Sequence, residues 1–102
     1  MNSSSRKKLE SRGWKFGDVA EFLGLSEQEA AYLELKLALS QELKQRRKGS
    51  RMTQAELARL IRSSQSRVAK MEAGDPSVSV DLLIKSLLAI GVSRKELGET
   101  IS

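Results

Sequence analysis

Between Thr53 and Glu72 the chain carries two short apolar patterns of helical period, one directly after the other. Leu57, Ala58 and Ile61 stand at i, i+1 and i+4, and Val68 and Met71 at i and i+3. Each set gathers on one face of a short helix, so the spacing predicts two small helices that bury those faces against each other across a tight turn. The opposite face of the second helix then holds Gln65, Ser66, Arg67 and Lys70. These are side-chain types that bond base edges and phosphate oxygens.

Charge is concentrated on the same stretch. Residues 44 to 70 contain nine lysines and arginines and a single acid, Glu56, whereas the rest of the chain holds nine bases against twelve acids. A net +5 for the whole molecule therefore understates the local field. A basic run alone often marks only a solvated face, but where it coincides with this pair of helices it predicts phosphate neutralisation, the source of sequence-independent DNA affinity.

At 102 residues the chain is expected to bury a single core. It has no cysteine and no histidine, which removes disulfides, thiolate zinc sites, thiol nucleophiles and histidine bases together. An enzyme is not expected, and neither a metal site nor a cofactor. No apolar run reaches the roughly 20 residues that span a bilayer. The start Met1-Asn2-Ser3-Ser4-Ser5-Arg6-Lys7-Lys8 is not followed by a signal-peptide core, so a cytoplasmic protein with no membrane partner is expected.

The helix boundaries are legible from their caps. Residues 1–10 read as a flexible polar, basic tail. From Phe16 the positions Phe16, Val19, Ala20 and Leu23 follow a helical period that Gly24 can end in a left-handed conformation. Ser26-Glu27-Gln28-Glu29 forms a capping box, with Leu25 before it as a hydrophobic staple. A long helix is predicted from there to Lys48, with Tyr32, Leu35, Leu39 and Leu43 on one stripe and Leu33 and Leu37 on a second. Thr53-Gln54-Ala55-Glu56 and Ser93-Arg94-Lys95-Glu96 are further capping boxes. Gly74-Asp75-Pro76-Ser77 reads as a loop, and Leu82, Leu83, Ser86, Leu87 and Ile90 as a helix that stops at Gly91. Leu97 and Ile101 on the last helix are candidates for either the core or a dimer contact. No strand pattern competes.

The two central helices form a helix-turn-helix, in which the first crosses the DNA backbone and the second enters the major groove. Gln54 and Gln65 open the two helices, where an amide can meet a phosphate or an adenine edge. Arg67 can give a bidentate pair to guanine. Ser64 caps the second helix and is placed to touch phosphate. With Arg51 and Thr53, the candidate DNA-binding set is Arg51, Thr53, Gln54, Ser64, Gln65, Ser66, Arg67 and Lys70.

Thr53-Gln54, Leu57-Ala58, Ser64-Gln65-Ser66, Val68, Glu72, Gly74 and Leu88-Ala89-Ile90-Gly91-Val92-Ser93 make the stretch from Ser40 to Ile101 resemble the XRE family, the Cro and phage-repressor type of helix-turn-helix. The resemblance implies that Gln54 clamps phosphate while Gln65, Ser66, Arg67 and Lys70 face bases or nearby backbone. Arg62 stands where that family has glycine in the turn, and Ser63 where it has an apolar residue; both weaken the turn.

Arg12-Gly13-Trp14-Lys15-Phe16-Gly17-Asp18-Val19-Ala20-Glu21-Phe22-Leu23-Gly24-Leu25-Ser26 is similar to the N-terminal extension of HigA-type antitoxins. That resemblance implies a RelE/HigB-like toxin that cleaves messenger RNA, and repression of the pair's own promoter. Trp14 and Phe16 are candidate toxin anchors, since aromatic residues are enriched at interface hot spots, although such residues equally plug the edge of a core. The same region imitates a helix-turn-helix in its Ala20-x-x-x-Gly24-Leu25-Ser26 spacing. Glu27, Glu29 and Glu34 on the following helix would repel phosphate, so it reads as scaffold or as an acidic surface for a basic partner.

The expected architecture is all-α: a five-helix Cro/repressor-like helix-turn-helix domain over residues 38–102, an N-terminal helical extension over 11–37 and the tail over 1–10. The expected function is a transcriptional repressor that binds operator DNA as a homodimer and acts as the antitoxin of a type II toxin–antitoxin module. A stand-alone phage-type regulator is the first alternative. A protein-interaction adaptor with an architectural helix-turn-helix is the second, since fold alone does not establish function.

Overall fold

A computed structural model of the protein describes residue 24 and residues 26–102. Within them the chain is all-helical: α1 (Glu27–Gly49), α2 (Gln54–Leu60), α3 (Gln65–Ala73), α4 (Val80–Ala89) and α5 (Arg94–Ile101). The expected all-α class holds. The helix expected over residues 16–23, the Leu25 staple and the candidates Trp14 and Phe16 lie outside the described residues.

Every helix opens on a serine or threonine whose side-chain oxygen accepts a backbone N–H three residues on: Ser26, Thr53, Ser64, Ser79 and Ser93. Thr53 and Ser93 form full capping boxes with Glu56 and Glu96. At Ser26 the box is altered, because the hydroxyl donates to Glu29 Oε1 at 3.1 Å instead of leaving that carboxylate to the backbone of the cap. Gly24 takes the expected left-handed conformation, with φ 70°.

The four chain reversals between helices share one construction. Met52, Ser63, Asp75 and Val92 each donate a backbone N–H to the carbonyl five residues back, on Arg47, Ala58, Lys70 and Leu87. The residue before each of them is left-handed: Arg51 (φ 56°), Arg62 (56°), Gly74 (72°) and Gly91 (102°). This is the Schellman closure, which satisfies the last carbonyls of a helix and favours glycine at the left-handed position.

The long helix α1 packs against α3, α4 and α5, while α2 packs against α3 and α5 against α4. Leu39 and Leu43 of α1, Leu57 of α2, Val68 and Met71 of α3, and Leu83 and Leu87 of α4 form a core with no exposed surface, which Ala58, Val78, Val92 and Leu97 complete. Each fully buried leucine contributes about 1.5–3 kcal/mol relative to leaving it in water.

Three placements differ from the pattern-based expectation, and a fourth, left open by it, is decided. Tyr32, on the predicted core stripe, is 51% exposed, since the α1 residues that enter this core begin a turn later with Leu35. Leu33 and Leu37 are half-buried, and the buried second face of α1 is Ala30, Glu34 and Ala38. Glu34, read as part of an exposed acidic surface, is 1% exposed; only Glu27 and Glu29 of that trio face solvent. Leu97 belongs to the core, whereas Ile101 stays exposed, so of that pair only Ile101 remains a surface candidate. Helix α1 runs without a break through the expected boundary between residues 37 and 38.

Candidate nucleic-acid interface

Helix α3 is a nine-residue helix with one face in the core and the other in water. Val68, Met71 and Glu72 point inward, and Gln65, Ser66, Arg67 and Lys70 are all exposed. The separation follows from the i, i+3 spacing of Val68 and Met71, which leaves the other positions facing out. Ser64 accepts the Arg67 N–H at 3.1 Å, so the same residue fixes the start of the helix and sits at its exposed tip.

Ser64, Ser66, Arg67 and Lys70 line an open cleft of about 340 Å³ whose other wall is Ser77 and Val78, from the loop between α3 and α4. That loop is held from two sides. Buried Lys36 of α1 donates its ammonium to the Pro76 carbonyl at 3.0 Å. Asp75 Oδ1 accepts both the Ser77 backbone N–H at 2.8 Å and the Ser77 hydroxyl at 2.6 Å. The Ser77 hydroxyl, followed by its backbone N–H, holds the Asp75 carboxyl below the usual carboxylate range. Ser77 was absent from the sequence-derived set; the loop composition marked a turn and gave no sign that it would return beside α3.

At the start of α2, Thr53 and Glu56 close their capping box, and the Thr53 backbone N–H is the main cause of a lowered Glu56 pKa. The carboxylate of Glu56 is thereby turned back on the helix end. Gln54 is half-buried, and its amide nitrogen donates to Glu72 Oε1 at 3.3 Å. That bond engages one of the two N–H groups on the amide nitrogen.

Glu72 in turn receives Arg47 in a bidentate pair, with Nε to Oε2 at 2.5 Å and Nη2 to Oε1 at 2.9 Å. Arg47 Nη1 donates to the Met52 carbonyl at 2.8 Å, so one guanidinium ties α1, the entry to α2 and the inner face of α3 together. The hydrogen bonds that Arg47 donates to Glu72 raise its pKa against the opposing cost of burial. Sequence reasoning placed Glu72 as a family signature residue but had no signal for its partner 25 positions away.

The candidate set thus divides by position. Ser64, Ser66, Arg67 and Lys70 meet at the cleft, with Gln65 exposed beside them. Thr53 and Gln54 stand at the opening of α2, and exposed Arg51 occupies the left-handed position before it. Chemically the surface offers amides, hydroxyls and positive charge, with the nearby Asp75 carboxylate engaged by Ser77, which suits a polyanion with readable edges. Among the described residues no group of three or more carboxylates converges as a metal ion would require, and no helix is long and apolar enough to cross a membrane.

Compared with known protein families, the chain matches the model described as helix-turn-helix over residues 43–97, from the second half of α1 to α5. No curated protein and no solved structure matches it.

Proposed function

We propose, from the premise that this chain belongs to the helix-turn-helix family of the XRE type and is a DNA-binding regulator, that it is a cytoplasmic repressor of its own operon and the antitoxin of a type II toxin–antitoxin module. The observation that carries the DNA-binding part is the exposed face of α3, where Gln65, Ser66, Arg67 and Lys70 project from a helix whose other face is locked in the core. In this reading α3 is the recognition helix. Arg67 and Gln65 read base edges, Ser64 and Lys70 hold phosphate, and Thr53, Gln54 and Arg51 fix the backbone that α2 crosses. Two copies bind a symmetric operator with half-sites roughly 34 Å apart.

Support for the antitoxin role comes from the likeness of residues 12–26 to a HigA-type extension, with Trp14 and Phe16 as the anchors for a RelE/HigB-like toxin. A stand-alone regulator is the second reading, favoured by the family match beginning only at residue 43. The test is co-expression with the neighbouring small open reading frame, purification through a tag on this chain, and a gel shift on the shared upstream DNA. A growth-inhibiting partner that co-purifies, together with a shift, supports the antitoxin role. A shift without a partner leaves the stand-alone regulator, and a partner without a shift overturns the repressor.

A further inference from the structure

The left-handed turn positions are occupied unevenly. Two of the four Schellman closures use glycine, at Gly74 and Gly91, but the two that flank α2 use arginine, at Arg51 and Arg62. A side chain at positive φ is strained whatever space surrounds it, and such outliers persist where a local function holds them. Packing offers no such reason for Arg62. Its side chain is exposed and makes no ion pair or side-chain hydrogen bond among the described residues. The single acid of the basic segment, Glu56, is turned onto the Thr53 N–H and does not neutralise it.

Arg62 lies two residues before Ser64, the cap of α3 and a wall of the cleft with Arg67 and Lys70. Its exposed guanidinium is carried by the turn that leads into α3, and its fork of donors matches a phosphate. We propose that Arg62 is a DNA-backbone contact, a phosphate ligand supplied by the turn itself. Its charge sits where glycine would stabilise the turn. This rests on the DNA-binding reading above and adds a residue to it.

Because a phosphate contact is indifferent to sequence, the test needs no operator: fluorescence anisotropy of a labelled short duplex of arbitrary sequence, titrated over a salt series, beside thermal melts of the same proteins. Arg62→Gly relieves the positive φ, and Arg62→Asn tolerates that φ without charge. The expected result is a pair of opposite movements. Both variants melt at or above the wild-type temperature, yet bind DNA about fivefold to tenfold more weakly near 0.1 M salt, with the log–log salt slope shallower by about 0.9. Arg62→Lys restores most of the slope. Unchanged affinity and slope in Arg62→Gly and Arg62→Asn, with wild-type binding intact, would overturn this contact alone. A wild-type chain with no affinity for the duplex would overturn the DNA-binding reading and this contact with it.

Discussion

Arg47 and Glu72 join α1 to the inner face of α3 through two parallel hydrogen bonds of 2.5 and 2.9 Å, with side chains only 11% and 3% exposed. The same carboxylate receives the Gln54 amide. Structure and proposed function therefore meet in one network: what anchors α3 to the long helix also orients the residue at the head of α2. Removing one partner leaves a buried charge alone, which costs about 3–5 kcal/mol, whereas replacing both with apolar groups of similar size is near neutral. Glu72→Ala should accordingly destabilise by about that much in urea melts. The double variant Arg47→Met/Glu72→Leu should recover most of the loss but bind DNA more weakly than wild type, since Gln54 is no longer oriented. Full DNA affinity in the double variant would disconnect the network from binding.

The exposed face of α3 separates two kinds of contact. Arg67→Ala and Gln65→Ala should each reduce discrimination between operator and unrelated DNA by about 1–3 kcal/mol, because base-edge bonds are lost. Lys70→Ala should weaken both alike and make the salt slope shallower by about one. Competition gel shifts over a salt series read both quantities. A uniform loss in Arg67→Ala would move that residue from base readout to phosphate holding.

Acid should weaken the fold through its caps. Glu56 is held below the ordinary carboxylate range chiefly by the Thr53 backbone N–H, and Glu96 by the Ser93 backbone N–H and then the Arg46 guanidinium. A carboxyl group whose folded pKa is depressed contributes stability that is present above its unfolded value and lost as pH falls through the folded one. Stability should therefore hold from neutral pH to about 4.5 and then decline. The decline should be less steep in a Glu56→Gln/Glu96→Gln variant. An identical acid profile for that variant, followed by circular dichroism, would show that the caps are not the titrating groups.

What the sequence revealed divides along the range of the forces involved. Helix starts were legible because Thr53–Glu56 and Ser93–Glu96 act within a single turn, and the exposed face of α3 because Val68 and Met71 alone determine which way the helix faces. The partners of Glu72 and Lys36 were not, since both pairs are made by folding across 25 and 40 positions. Burial of Glu34 ran against the usual exposure of glutamate, and the exposure of Tyr32 against a stripe pattern that says nothing about how far the core extends. Arg62 stood out in the sequence as a non-glycine turn residue, and its positive φ gives that departure a physical cost. Ser77 reached the cleft only through a loop whose path is fixed by the Lys36 ammonium on the Pro76 carbonyl.

The two glycine closures should differ in their tolerance of a methyl group. Gly91 has φ 102° with nothing within 4 Å of an added Cβ, whereas Gly74 has φ 72° and a Cβ there would lie 2.8 Å from Leu37 Cδ2. Alanine at either site incurs the left-handed penalty of about 1–2 kcal/mol. At Gly74 the Leu37 side chain must also swing aside, and it is half-buried next to the loop that carries Ser77. Gly74→Ala should therefore be the more destabilising of the two in thermal melts and should also weaken DNA binding, because the loop and the end of α3 move with it. Gly91→Ala should lower the melting temperature and leave binding of the folded protein unchanged. Equal stability losses together with equal DNA affinity would show that Leu37 gives way freely and that the loop is not held by this contact.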